Sequence, residues 1–391
     1  MGTKSWTRNS AVECFVHIEE VRGPNPLGST QKMKILFLTR RFYPEIGGVE
    51  KHVLEISKIL VSQGHDVSVI SENYHSDDQS DKHDIGSLQP VKSVRSPFFV
   101  YNKIKVYRFN FGSDNFLKKF KIWAILLRNY RLMRDSDVVH CHDVFFWYLP
   151  FRFLFPGKKV FTTFHGYEGY PIKKKAKVVR KISEILSRGT ICVGSFMKKW
   201  YKANPDYVIY GGVDIRRARS VVSNVKTNKN PTALFIGRLD EQTNILEYCR
   251  IAQKLRIAIP GFRMEIAGDG KYGSFAKKYG KLLGFVNNPE KLLPNYGVAF
   301  VSRYLSILEA LAAKRPVFAF YDNPLKEDYL KMTPFKNFIN VSGNITELAL
   351  LVQDYYSNKK NAQDRVKKAY VWAQTQGWNN IVNIYLKLWS K

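Results

Sequence analysis

Two adjacent glycines, Gly47 and Gly48, stand where a short apolar stretch gives way to a helical pattern. Residues 34–39 are apolar and of strand length. From Val49 the apolar residues Val49, Val53, Ile56, Ile59 and Leu60 fall at helical spacing. Gly64 ends that run, and 67–70 resumes as a strand, which makes one βαβ unit. A glycine pair lets the backbone come close to a ligand, and the free N–H groups of a helix start favour an anion such as a diphosphate. Arg238 follows a second apolar run, 233–237. A guanidinium at a strand end can hold diphosphate oxygens bidentately and neutralise charge on a leaving group. His140 and His142 are spaced like a metal pair, yet no further ligand cluster accompanies them. No DxD pair stands where it would hold a diphosphate-bound cation, so neither metal nor cofactor is expected.

The elements that must position these groups follow the same alternation. Strands are predicted at 105–110, 137–140, 159–163 and 190–193, with helices at 116–133 and 173–186. Residues 72–93 and 203–230 are polar; the first reads as a loop and the second, with Gly211-Gly212, as a linker. The pattern then restarts, with strands at 233–237, 264–267, 298–301 and 316–320 and helices at 245–257 and 306–313. Such alternation builds parallel sheets with helices on both faces. The expected fold class is α/β, with two doubly wound Rossmann-like domains facing a central cleft at their carboxyl strand ends. The first domain is set at 33–205 and the second at 206–370. Residues 371–391 are read as a helix packing back on the first domain, and 1–32 as a flexible extension without the apolar core of a signal peptide.

The chain of 391 residues is long enough for two full cores. Its four cysteines form no CxxC pair, which fits a reducing compartment rather than a disulfide framework. No run reaches the roughly 18 apolar residues that a membrane span needs. The net charge is +29, from 62 basic and 33 acidic residues, and it is uneven. Between Arg95 and Lys202 there are 23 Lys and Arg against 6 Asp and Glu. A field of that sign draws nucleic acid, anionic lipid or phosphorylated substrates.

Seven segments in order carry a resemblance: FYPEIGGVEKHV at 42–53, DVVHCHD at 137–143, TTFHGYEG at 162–169, VIYGGVD at 208–214, FIGRLDE at 235–241, EIAGDG at 265–270 and SILEALAAKRPV at 306–317. The chain resembles the GT-B glycosyltransferases, most of all glycosyltransferase family 4, from Met33 nearly to its end. The resemblance implies a nucleotide-sugar donor in the second domain and a glycan or lipid-linked acceptor in the first. It also implies retaining, metal-independent transfer. It assigns the donor to Gly47, Gly48, Gly237, Arg238 and Glu309, with the backbone of Ile307 and Leu308 capping a phosphate. Glu309 would accept from ribose hydroxyls. His165 would stand beside the reacting sugar, and with Tyr167 face the acceptor. His165 and Glu309 are the expected catalytic residues.

The chain departs from the family pattern twice. The partner of Glu309 in the family's glutamate pair is Val301 here, and the lysine five residues after the Arg238 position is Thr243. Lys271, Lys326 and Arg303 are the cations that could replace it. These departures leave open a catalytically weak or inactive homologue that binds a glycan or a partner.

Aromatics beside Lys and Arg at 116–133 and 144–155, together with the basic helix at 173–188, suit an anionic membrane surface. The alternative for 144–155 is buried core. A nucleic acid would use the same charge, but no nucleic-acid motif is present, and none is expected as a partner. The expected location is cytoplasmic, peripheral at the inner face of a membrane.

Overall fold

The first lobe is an eight-stranded sheet and the second a six-stranded one, each with the order of a doubly wound fold. The computed structural model describes residues 31–45, 47–73, 97–115, 117–217 and 231–391. The extension at 1–30 and most of the 72–93 loop lie outside the described residues.

The first sheet contains β1 (Lys34–Thr39), β2 (Asp66–Glu72), β3 (Phe98–Tyr101), β4 (Ile104–Phe109), β5 (Val138–His142), β6 (Lys159–Phe164), β7 (Gly189–Val193) and β8 (Tyr207–Ile209). Their order is β3-β4-β2-β1-β5-β6-β7-β8. All neighbours are parallel except the β3–β4 hairpin at the edge. Pairing sets Thr39 opposite His142 and His142 opposite Thr163. The loops carrying Gly47, Asp143 and His165 therefore leave the sheet at one edge.

The second sheet contains β9 (Thr232–Ile236), β10 (Arg263–Ala267), β11 (Lys281–Gly284), β12 (Val298–Phe300), β13 (Val317–Phe320) and β14 (Ile339–Ser342). Its order is β11-β10-β9-β12-β13-β14, parallel throughout. The central strands β9, β12 and β13 are buried along their whole length, as strands covered on both faces must be.

Several boundaries differ from the sequence-based expectation. β8 pairs with β7 inside the stretch read as a linker, so the first sheet runs past residue 205. The 116–133 helix breaks into Lys118–Arg128 and Arg131–Arg134, where the Asn129 side-chain amide donates to the Ile125 carbonyl at 2.9 Å. The helix expected at 306–313 starts earlier, at Tyr304. The aromatic run at 144–155 is chiefly core: Phe145, Trp147, Tyr148 and Phe151 of the helix Phe145–Leu154 are buried, while Phe153 and Leu154 are exposed.

The final stretch forms two helices, Lys359–Ala373 and Trp378–Trp389, with Gly377 at the N-cap of the second. Trp378, Ile381, Val382, Tyr385, Leu388 and Trp389 make one buried stripe at helical spacing. Burying each such side chain contributes about 1.5–3 kcal/mol. The stripe lies on the first lobe, where the Trp378 and Tyr385 rings meet His52 of the helix Gly48–Ser62.

Candidate active site

The first turn of the helix Gly48–Ser62 is where the two lobes meet. Gly47 is its N-cap, in extended backbone. A Cβ on Gly47 would collide with Glu50 Oε2, so the Glu50 carboxylate folds back over the glycine. A carboxylate in the first helical turn complements the helix dipole. The helix start therefore already has an anion beside it, which the sequence did not reveal. Gly48 is exposed and faces Leu305 at the start of the helix Tyr304–Ala312. Leu305 also fills the space over Gly211, whose φ of +94° and missing Cβ both suit glycine.

Glu309 lies one turn further along that second-lobe helix. Lys51 crosses from the first lobe and places its ammonium 2.6 Å from Glu309 Oε1 and 3.4 Å from Glu290 Oε2. Arg217 reaches Glu290 at 3.0 Å and extends the network. Glu309 is only 9% exposed and Lys51 23%. Burial disfavours the Lys51 ammonium, but Glu309 and Glu290 outweigh it and hold its pKa above the usual lysine range. Burial pushes Glu309 upward against the pull of Lys51. The short contact is that of an ion pair. A cavity of about 30 Å³ remains beside it, room for a water but not for a nucleotide. In this conformation the carboxylate expected to meet a ribose is held by a lysine.

Arg238 projects from the carboxyl end of β9. Its Nε lies 3.2 Å from Asp240 Oδ2, and Nη2 donates to Gln242 Oε1 at 3.2 Å. It is 65% exposed. Of Arg238 and Glu309, only Glu309 meets the Gly47–Lys51 turn by a direct contact, through Lys51. Gly237 donates its N–H to Ala267 at 3.2 Å, which spends it on the sheet edge. The expected phosphate caps at Ile307 and Leu308 are not available. Ile307 N–H donates to Arg303 at 2.9 Å, and both residues are fully buried inside the helix. Because the helix starts at Tyr304, its leading N–H groups belong to Leu305 and Ser306, while Tyr304 N–H donates to the Tyr329 hydroxyl at 3.1 Å.

His165 follows β6. Its N–H donates to the Asp143 carboxylate, and its Nε2 lies 2.8 Å from His142 Nδ1. The His52 ring stands edge-on to it, with centroids 4.8 Å apart. Burial, with His140 and Arg180 adding to it, pushes the His165 pKa down to about 3. The imidazole is therefore a neutral hydrogen-bonding group rather than a charge. The next residues are fixed from outside: Glu168 accepts from Arg180 at 3.0 Å and from the Tyr201 hydroxyl at 2.6 Å. Tyr167 turns toward the second lobe, under the Arg303 guanidinium at 5.5 Å.

Behind His165 runs a buried chain that sequence reasoning missed. The indole of Trp389, a pure donor, gives its N–H to His140 Nδ1 at 3.0 Å. His140 must then carry its proton on Nε2 and donate to Thr163 Oγ1 at 2.7 Å. Thr163 meets the Tyr385 hydroxyl at 2.9 Å, and that hydroxyl meets His52 Nε2 at 2.9 Å. One indole thus sets the direction of donation as far as Thr163. His140 is occupied at both nitrogens and His142 at one, and among the described residues no group of three or more His, Cys, Asp or Glu could hold a metal. His52 and Lys51 sit inside the quoted 42–53 segment, which was the signal available for them.

The fold and this arrangement define a class, two Rossmann-like lobes with their carboxyl strand ends in apposition. A family model described as Glycosyltransferase Family 4 matches residues 46–217. The chain therefore resembles that family and has the GT-B fold. A glycosyltransferase from Rickettsia africae is similar over 92% of this chain and 98% of its own, at 18% identity and a TM-score of 0.66. Anabaena HepE, solved with UDP and glucose, is similar over 92% and 100%, at 16% identity and a TM-score of 0.65. The GPI3 subunit of the yeast phosphatidylinositol N-acetylglucosaminyltransferase is 32% identical over 109 residues, which are 28% of this chain. The match spans about a fifth of the length of that Saccharomyces cerevisiae relative, 21%.

Proposed function

We propose that the protein is a nucleotide-sugar-dependent glycosyltransferase. The observation that carries the reading is that Glu309 meets Lys51 of the opposite lobe while Arg238 stands exposed just beyond the carboxyl end of β9. In this reading the donor enters after the lobes part and Lys51 releases Glu309, which then accepts from the ribose hydroxyls. Arg238 neutralises charge on the departing diphosphate. His165, held neutral, hydrogen-bonds a hydroxyl of the transferred sugar. Closure of the lobes excludes water and aligns donor and acceptor. The transfer is retaining and needs no metal.

The competing reading, a binding protein without transferase activity, rests on Lys51 and Leu305 filling the cleft and on Val301 at the position of the family's second glutamate. Nucleotide binding separates the two. UDP or GDP at millimolar concentration is expected to raise the melting temperature, since about a hundredfold excess over Kd stabilises by about 2.7 kcal/mol. Arg238→Ala is expected to abolish the shift and Glu309→Ala to weaken it for ribose nucleotides. Silence of the wild-type protein toward both nucleotides would exclude the enzyme reading.

The acceptor is proposed to be lipid-linked and met at the cytoplasmic face of a membrane. Among the described residues no helix is long and apolar enough to cross one. The helix Lys174–Leu186 buries only Ser183, while Val178, Val179, Ile182 and Ile185 are exposed among Lys174, Lys175, Lys177 and Lys181. Phe120, Leu127 and Phe153 are exposed on neighbouring helices of the same lobe. Apolar side chains in the headgroup layer with cations around them fit an anionic surface. The yeast relative, a phosphatidylinositol N-acetylglucosaminyltransferase subunit by name, supports a lipid acceptor. Flotation with vesicles containing phosphatidylglycerol is expected at low salt and to be lost in Ile182→Glu/Ile185→Glu. Equal flotation of that double variant would remove the helix from the claim.

A further inference from the structure

The position that holds a lysine in the family is Thr243 here, and it is spent. Its hydroxyl donates to the Arg238 carbonyl, and the residue is 4% exposed. Three cations were candidates to replace it, and the structure separates them. Lys271 is exposed and ion-paired with Glu241 on the outer side of the loop. Lys326 is buried, and its ammonium donates to the Gln242 carbonyl at 2.8 Å and to the Asn244 side chain, so it braces the loop from beneath. Arg303 is different. It is the N-cap of the helix Tyr304–Ala312, and its Nη2 donates to Gln242 Oε1 at 2.8 Å. Arg238 donates to that same oxygen at 3.2 Å.

Two guanidinium groups from two loops thus converge on one oxygen, which an amide supplies from the intervening 240–244 turn. Two positive groups brought this close repel each other unless an acceptor lies between them. A phosphoryl oxygen is a stronger acceptor for guanidinium than a neutral amide. The oxygen is held by the residue that caps the helix Tyr304–Ala312. Tyr167 and Tyr329 flank the Arg303 guanidinium, at 5.5 and 5.9 Å, and keep it from swinging into solvent.

We infer that Arg303 is the second cation of the diphosphate seat, and that Gln242 Oε1 holds the place of a phosphoryl oxygen which displaces it on binding. The inference rests on the donor-binding reading of the cleft. It places the seat between the ends of β9 and β12, not at Ile307 and Leu308.

Binding is measured for UDP, GDP and ADP, for the matching nucleosides, and for inorganic pyrophosphate as a competitor. Arg303→Ala is expected to lower nucleoside diphosphate affinity about tenfold to a hundredfold, the loss of a charge-assisted hydrogen bond, and to leave nucleoside affinity unchanged. Pyrophosphate should lose its power to compete in the same variant. Gln242→Ala is expected to tighten diphosphate binding several-fold, an outcome that a merely structural glutamine would not give. Arg303→Lys keeps a charge without the fork and should fall between the wild type and Arg303→Ala. If Arg303→Ala fails to fold, Arg303→Lys and Gln242→Ala carry the test. Unchanged diphosphate affinity in folded Arg303 variants overturns this inference and leaves the donor-binding reading intact. A folded wild-type protein that binds no nucleoside diphosphate and no pyrophosphate ends both.

Discussion

Between neutral pH and about pH 5 the first lobe is expected to lose stability, because several of its histidines, among them His52, His140 and His142, are buried without charge. His52, His140 and His142 are 2%, 0% and 1% exposed. Burial, together with neighbouring histidines, holds all three well below the ordinary histidine range. In the unfolded chain each takes up a proton near pH 6.5, whereas in the native state it does not. The stability these groups contribute is therefore complete above about pH 6.5 and drains as pH falls toward their much lower native values. Each costs at most about 1.4 kcal/mol per pH unit. Urea unfolding followed by tryptophan fluorescence across this range measures the slope. His142→Gln removes one titrating group and is expected to lower the slope by up to about 1.4 kcal/mol per pH unit. A wild-type stability that stays flat from neutral pH down to about pH 5 would contradict the neutral cluster.

Lys51→Met is expected to cost about 3–5 kcal/mol at neutral pH, because it strands Glu309 inside the lobe contact. The carboxylate is 9% exposed, and the Lys51 ammonium lies 2.6 Å from it. Most of the penalty is desolvation of a charge left without its cation, rather than the worth of the pair itself. Glu309→Gln in the Lys51→Met background removes that charge and is expected to return most of the loss. A double-mutant cycle by chemical denaturation reads the coupling, and additive effects of the two changes would mean that the residues do not interact. The same variant bears on function. With the lysine gone, Glu309 is open to a ribose, so the nucleotide-induced shift in melting temperature should grow.

The elements that carry the site were legible where periodicity is strong. β1, β9 and the helix Gly48–Ser62 stand close to where alternation and helical spacing put them, and Arg238 projects at a strand end as expected. Short elements were less legible. β3, β11 and β14 have four residues each, too few for a period to show. The start of the helix Tyr304–Ala312 was misplaced because Tyr304 and Leu305 precede the motif used to find it, and that displacement moved the expected phosphate caps into the helix interior. What the sequence could not show is contact between distant residues. Lys51 and Glu309 are 258 positions apart, and Trp389 and His140 are 249 apart. No local pattern encodes either meeting. The exposed stripe of the helix Lys174–Leu186 was similarly hidden, since Val178, Ile182 and Ile185 have the spacing of a core face and turn outward instead.

The return of the helix Trp378–Trp389 to the first lobe has a consequence for synthesis. Domains of a nascent chain ordinarily settle in the order in which they leave the ribosome. Here the amino-terminal lobe cannot finish first. Until residue 389 clears the exit tunnel, His140 Nδ1 has no indole donor and His52 Nε2 has no phenol. The second lobe, translated later, can complete its own sheet before the earlier one is sealed. Completion of the first lobe therefore waits on residues that are among the last to be translated.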